Sequence, residues 1–192
     1  LEIGPAAGMD TKDWLLVVNG TRATPALMGK LSRGCARAGL RPTFRQTTHH
    51  GHAAELIALA LNDGVRQVAV AGGDGTLHSA VQGLVAWGGD TLKVRLGLIP
   101  LGTGNDVARG LGIPRNLEHS LKVLAGTHDR IIDSAMVRWS GGVKTFINSL
   151  GIGFDVSVLE RLDRRWGRLG YAMAFMKSIP LIKGLVTIIR SE

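Results

Sequence analysis

Apolar and polar positions fall into short alternating blocks along most of this chain. Residues 14–19, WLLVVN, form an apolar run that stops at Asn19-Gly20, the pattern of a buried strand followed by a turn. Residues 24–39 read as a helix, with Thr24 as cap and Pro25 at the first helical position. Residues 41–46 read as a second strand. Ala53, Leu56, Ile57 and Ala60 then recur at i, i+3, i+4 and i+7, one face of a helix that ends at Asn62-Asp63-Gly64. Residues 67–71 are a strand that runs straight into Gly72-Gly73-Asp74-Gly75-Thr76. The next helix sets Leu77, Ala80, Val81, Leu84 and Val85 on one face. Residues 94–100 are another strand, running into Leu101-Gly102-Thr103-Gly104-Asn105-Asp106, where a further helix begins.

Strand and helix alternate in this way over residues 14–125, which predicts an α/β fold with a doubly wound, mostly parallel sheet. The pattern then changes. Residues 131–139 and 143–150 read as two strands joined by a turn at Ser140-Gly141-Gly142. An α/β domain is therefore expected over residues 11–127, and the beginning of a β-rich, sandwich-like domain over 128–192. Within the latter, a helix with Leu169, Ala172, Met173 and Met176 on one face stops near Pro180. Met173 and Met176 are expected in its core. Residues 185–190 open like a strand. A β-domain of two or three strands cannot bury its core alone. The sequence is thus expected to be a fragment or to pair with another chain, a second copy included. Residues 1–10 have no periodicity and are expected to be a tag or disordered leader.

Composition narrows the picture less than pattern does. Hydrophobic content is 45% but aromatic content only 5%, so the apolar mass is mostly aliphatic, as a buried sheet requires. The net charge of +8 and pI of about 10.4 call for an anionic partner. Nucleic acid, an acidic membrane and a nucleotide all qualify, but no nucleic-acid motif is present. With Cys35 as the single cysteine, an internal disulfide is excluded and a reducing cytoplasm is expected. No apolar run reaches the ~18 residues that span a bilayer.

Two glycine-rich turns carry the candidate chemistry. Each follows a strand and opens a helix, and they lie one βαβ unit apart. In open α/β sheets, ligands sit at the carboxyl ends of the strands. Bare N–H groups at a helix start favour phosphate oxygens. Gly72, Gly73 and Gly75 let the backbone approach an anion closely, and Thr76 adds a hydroxyl donor. Gly102, Thr103 and Gly104 do the same in the second turn, where Asn105 can cap the helix. Asp74 would repel a phosphate unless it holds a cation such as Mg²⁺ or takes a proton as general base. The plain structural reading is a tight Asp-Gly turn. A Walker loop needs a Gly-Lys-Ser/Thr ending that neither turn has, and Val107 stands where a dinucleotide fingerprint needs its third glycine.

Gly72-Gly73-Asp74-Gly75-Thr76 resembles the signature shared by diacylglycerol kinases, sphingosine and ceramide kinases, and NAD kinases. Pro100-Leu101-Gly102-Thr103-Gly104-Asn105-Asp106, with Ala108-Arg109 behind it, resembles the second signature of the diacylglycerol kinase group, where NAD kinases differ. Asn148-Ser149-Leu150-Gly151-Ile152-Gly153-Phe154-Asp155 is similar to a third block of that group. The resemblance implies a lipid kinase that uses ATP and Mg²⁺, acts most typically on diacylglycerol, and works in the cytoplasm at a membrane surface. It implies that Gly72, Gly73, Asp74, Gly75, Thr76, Leu77 and His78 line the ATP phosphates. It further implies that Gly102, Thr103 and Asn105 serve the nucleotide from the second turn, and that Asn19 and Thr47 match family positions beside it. Asp74 would organise the metal or the attacking hydroxyl.

The chain departs from the family pattern in three places. The first turn usually reads Asn-Pro, but here it is Asn19-Gly20-Thr21-Arg22, which predicts a looser loop or a phosphate contact from Arg22. Ser79 replaces a frequent Glu. The later acidic motif, with the proposed base and a structural metal site, has no counterpart up to Glu192. A nucleotide-binding protein without turnover is therefore the rival from another class. A sphingosine-kinase-like or NAD-kinase-like activity is the rival among enzymes. Two other features invite readings. His49, His50 and His52 could bind a metal, though a solvated loop is expected because no ligand spacing surrounds them. Arg161, Arg164, Arg165 and Arg168 around Trp166 could dock on an anionic bilayer or form a solvated loop.

Overall fold

The structure, a computed structural model, describes residues 13–149, 158, 160 and 167–178. The chain divides into two compact units, Leu1–Asn148 and Ser149–Glu192.

The first unit contains β1 (Asp13–Val18), α1 (Pro25–Arg37), β2 (Arg41–Gln46), α2 (His52–Asn62), β3 (Gln67–Gly72) and α3 (Asp74–Trp87). It continues with β4 (Arg95–Pro100), α4 (Asp106–Gly110), α5 (Leu117–Ala125), β5 (Ala135–Trp139) and β6 (Gly142–Phe146). Strands β1 to β4 form one parallel sheet in the order β2-β1-β3-β4. This is the doubly wound sheet the alternation predicts. The order reverses between β1 and β3, so their carboxyl ends flank the crevice where such sheets take ligands.

Strand side chains alternate between faces, and each face meets its own helices. Leu15, Val17, Val68, Val70 and Leu98 pack with Ala53, Ile57 and Leu61 of α2 and Leu77, Ala80 and Leu84 of α3. Trp14, Leu16, Val18, Ala69, Ala71 and Ile99 pack with Leu31 and Cys35 of α1 and Leu121 and Leu124 of α5. Each large aliphatic side chain buried in this way contributes roughly 1.5–3 kcal/mol. β3 is buried along its whole length, as a central strand covered on both faces must be. Cys35 is a packed thiol whose pKa burial pushes up to about 11.

Thr24 caps α1 through its side-chain oxygen, with Pro25 at the helix start. The helix expected after the second glycine turn is two helices. Gly112 adopts a left-handed conformation, φ 71°, and Pro114 follows it, so the chain stops at Gly110 and restarts at Leu117. Val85 was expected on the apolar face of α3 but is exposed, whereas Leu84 beside it is buried.

The expected boundary near residue 128 marks the end of strand–helix alternation, whereas the division into compact units falls after Asn148. The antiparallel hairpin β5–β6 packs on α3, where Gln82 Nε2 donates to the Thr145 carbonyl. At the amino-terminal end of β4, Arg95 donates to Asp129 Oδ1 at 2.8 Å, to the Gly126 carbonyl at 2.9 Å and to Gln67 Oε1 at 3.0 Å. That hub anchors the segment leading into the hairpin.

The second unit holds α6 (Gly167–Ser178). Among its positions whose burial is described, Gly170, Ala174 and Ser178 are buried, and Ser178 Oγ donates to the Ala174 carbonyl at 2.8 Å. Met173 and Met176 are 44% and 66% exposed, so the expectation that they sit in the core is corrected. The small residues at i, i+4 and i+8 face inward instead. The expected strand over 185–190, the block from Leu150 to Asp155, and Arg161, Arg164, Arg165 and Trp166 lie outside the described residues, and of Arg168 only the backbone is described. No helix among the described residues is long and apolar enough to cross a membrane.

The tightest helix contact in the first unit is at Gly83, where α3 crosses α2. A Cβ there would meet the Ala54 carbonyl and stand 2.8 Å from Ala54 Cα. Gly83→Ala should therefore destabilise the unit by about 1–3 kcal/mol, read as a lower urea midpoint at unchanged m-value.

Candidate phosphate-binding site at the strand carboxyl ends

β3 and β4 are adjacent and parallel, so the turns that leave them emerge side by side. Gly72 pairs with Pro100, and Leu101 N donates to the Gly72 carbonyl at 2.8 Å. Gly73 and Gly102 then touch through backbone alone. A Cβ on Gly73 would lie 3.0 Å from Gly102 Cα, and one on Gly102 only 2.6 Å from Gly73 Cα. Any side chain at either position would force the turns apart.

α3 starts at Asp74 with Gly73 as N-cap, and no side chain caps it. Thr76 N and Leu77 N both go to the Gly73 carbonyl. Among the described residues, the N–H groups of Gly73, Asp74 and Gly75 have no protein acceptor. A helix start left open in this way favours an anion. Gly75 is exposed and has nothing within 4 Å of where its Cβ would be.

The second turn closes on itself. Asn105 is buried and left-handed, φ 54° and ψ 49°. Its side chain accepts from Gly102 N at 2.9 Å and donates to the Gly102 carbonyl at 2.7 Å. The expectation that Asn105 caps the following helix is thereby corrected. Asp74 takes that part: its Oδ1 accepts from Val107 N, in the first turn of α4, at 3.2 Å. Asp74 Oδ2 remains, and together with Asp106 Oδ2 it flanks Gly104, the two oxygens lying 3.1 and 3.6 Å from where a Gly104 Cβ would stand. Thr103 and Gly104 are exposed beside them.

Asn19 and Thr47 join the same edge. Asn19 N donates to the Ala71 carbonyl, and Asn19 Nδ2 donates to Thr76 Oγ1 at 2.8 Å, bridging β1 to the start of α3. Thr47 Oγ1 accepts from Gly20 N at 3.0 Å. Thr21 donates twice to Asn19 Oδ1, at 3.0 Å from N and 2.7 Å from Oγ1. The Asn19-Gly20-Thr21-Arg22 turn is thus tied down, against the looser loop expected from its sequence. Arg22 is exposed, and its guanidinium has no hydrogen bond among the described residues. Leu77 turns its side chain into the core, so its part is packing rather than ligand contact.

Ser79, the departure from the family pattern, has a local role that spacing did not show. α2 has Gly51 as N-cap, which has no side chain to offer. Ser79 Oγ reaches across from α3, accepts from Ala54 N at 3.1 Å and donates to the Gly51 carbonyl at 3.2 Å. The β2–α2 loop is held further by its histidines. His49 and His52 stack with centroids 4.6 Å apart, and both place Nδ1 3.0 Å from Thr48 Oγ1. Glu55 Oε1 lies 3.1 Å from His49 Nε2, a carboxylate partner that the sequence reading did not find. No group of three or more His, Cys, Asp or Glu able to hold a metal ion occurs among the described residues.

His78 is half-buried on α3. Desolvation lowers its pKa below the ordinary 6.5, and the nearby Lys144 of β6 and His50 lower it further. His78, Lys144 and His50 therefore lie near one another.

The first unit is thus an open α/β sheet with paired glycine turns at the carboxyl ends of the adjacent strands β3 and β4, and neither turn is a Walker loop. Residues 13–137 match the diacylglycerol kinase catalytic domain, and the chain belongs to that family. It is 32% identical over 173 residues to a "probable lipid kinase YegS-like" protein of Klebsiella pneumoniae (strain 342), covering 88% of this chain and 56% of that protein. It is 31% identical over 161 residues to the "probable lipid kinase YegS" of Shigella flexneri, covering 82% and 52%. The chain thus spans about half the length of these relatives. Among solved structures it is similar to a diacylglycerol kinase from Bacillus anthracis str. Sterne, with 26% identity and a TM-score of 0.56, covering 69% of this chain and 45% of that one.

The lowered His78 pKa has a defined sign. Protonation below 6.5 favours the unfolded chain, so this contribution to stability is full above pH 6.5 and is lost as pH falls through the folded value. NMR titration should place the His78 midpoint below 6.5, and Lys144→Ala should move it upward without reaching 6.5, since desolvation is the larger cause.

Proposed function

We propose that this site holds the phosphates of Mg²⁺-ATP and that the protein transfers the γ-phosphoryl group to a lipid hydroxyl, with diacylglycerol as acceptor. The observation that carries the reading is the open start of α3, with the Gly73, Asp74 and Gly75 N–H groups free beside the second glycine turn. Family membership supports a kinase of lipids. In the reaction the bond from the γ-phosphorus to the β–γ bridging oxygen breaks. A bond to the lipid oxygen forms, and the hydroxyl proton leaves to a base.

The residues divide the work by position. Gly73, Asp74 and Gly75 orient phosphate oxygens through backbone N–H groups, and Thr103 and Gly104 do so from the second turn. Asn19 and Thr47 hold the neighbouring strand ends, while Gly72, Gly102 and Asn105 keep the turns in register. Thr76 ties the start of α3 to β1 through Asn19, and His78 lines the phosphates from the following turn. Carboxylate oxygens from Asp74 and Asp106 suit Mg²⁺, which commonly takes one or two carboxylates plus substrate phosphates. Mg²⁺ would neutralise charge on the transferring group. Asp74 Oδ2, free while Oδ1 holds Val107 N, organises the metal or accepts the hydroxyl proton. Recruitment to an anionic, cytoplasmic membrane face through the Arg161–Arg168 segment belongs to the same proposal.

Calorimetric titration with ATP, with and without Mg²⁺, tests it. Asp74→Asn keeps an oxygen for Val107 and removes the charge. If Asp74 holds the metal, the variant loses Mg²⁺-dependent affinity; if it is only the base, binding stays and transfer to diacylglycerol in mixed micelles is lost. Normal transfer would remove Asp74 from the mechanism. Gly75→Ala should leave the fold as stable or up to about 1 kcal/mol more stable, yet weaken ATP binding by crowding the open helix start. Unchanged ATP affinity in that variant would place the phosphates elsewhere.

A further inference from the structure

We propose that Arg115 is the phosphate-contacting cation of the second glycine turn, an inference that rests on the nucleotide reading above. Phosphoryl-transfer sites place a fixed positive charge against the phosphates, and neither turn here contains a lysine. Among the described residues, two guanidinium groups reach the second turn. Arg109 is already neutralised: its Nη2 lies 2.6 Å from Asp106 Oδ1 and 3.1 Å from the Gly104 carbonyl. Arg115 donates from Nη2 to the Gly102 carbonyl at 3.4 Å and has no carboxylate partner among the described residues. That carbonyl already takes Asn105 Nδ2 at 2.7 Å, so the arginine bond is the weaker of two on one acceptor. The guanidinium is thus kept at the turn with its charge unspent. A phosphate offers the guanidinium an ionised acceptor and a second oxygen for a bidentate grip, neither of which the lone carbonyl supplies, so an arriving phosphate displaces the carbonyl.

The backbone under Arg115 is fixed on both sides. Ile113 N donates to the Ala108 carbonyl at 2.8 Å, and Ile113 packs against the core. Pro114 restricts the residue before, and Asn116 Oδ1 caps α5 by accepting from His119 N at 3.1 Å. A flexible arm on a rigid base next to Gly102, itself in contact with Gly73 at the start of α3, lets one guanidinium serve phosphates held between both turns. Its fork can grip two phosphate oxygens at once.

The test is calorimetric titration of the 192-residue chain and its R115A and R115K variants with Mg²⁺-ATP, Mg²⁺-ADP and adenosine at two salt concentrations. R115A is expected to weaken ATP binding about tenfold or more, to leave adenosine binding unchanged and to flatten the salt dependence. R115K is expected to fall between. Equal ATP affinity in wild type and R115A overturns the proposal while leaving the nucleotide site in place. Weakened adenosine binding in R115A also overturns it, because the residue then acts by shaping the turn. Failure of the wild-type chain to bind any nucleotide overturns the nucleotide reading and this proposal with it.

Discussion

Gly73 and Gly102 meet with no side chain between them, at a distance where a Cβ on either would collide with the other's Cα. That contact depends on β3 and β4 being adjacent and parallel, so that their carboxyl ends deliver two turns to one place. It also sets the relative position of the two helices that follow, because α3 starts one residue after the first glycine and α4 a few residues after the second. The open N–H groups at the start of α3 face a second turn only because the backbones can approach this closely. A substitution here would act on the site through geometry before it acted through chemistry.

Asp74 shows how one residue can serve both. Its Oδ1 caps α4 through Val107 N, which ties the second helix to the first. Its Oδ2 remains for work at the phosphates, beside Asp106. A carboxylate in a phosphate turn is costly unless something offsets its charge, and half of that conflict is resolved by a backbone donor from the neighbouring helix. The division of the two oxygens explains why an amide substitution and a deletion of the side chain are different experiments. Only the latter removes a helix cap.

Ser79 and Asn19 extend the same logic along the sheet edge. Ser79 supplies from α3 the capping oxygen that Gly51 cannot supply to α2, and so holds the β2–α2 loop that carries Thr47 and the three histidines. Asn19 bridges β1 to Thr76. The ends of β1 and β2 and the starts of α2 and α3 are therefore connected by side-chain bonds to backbone and hydroxyl groups. Tying strand ends to one another in this way is a form of preorganisation that lowers the cost of orienting a ligand.

The apolar periodicity of residues 14–125 determined the strands, the helices and the parallel sheet, because local period and burial on both faces leave few other solutions. The glycine turns, with Asp74, Thr103 and Asn105 in them, were also legible, since their place after strands and before helices is written in the order of residues. Other features needed the folded chain. The direction of Asn105's side chain, Asp74's bond to Val107 and the reach of Ser79 across to α2 depend on residues 3 to 33 positions apart meeting at one edge. Met173 and Met176 are likewise exposed while Gly170, Ala174 and Ser178 take the inward face, which helical spacing alone did not show. Spacing states which residues share a side of an element. Only tertiary contacts decide which side is turned inward and which polar atoms are already spent.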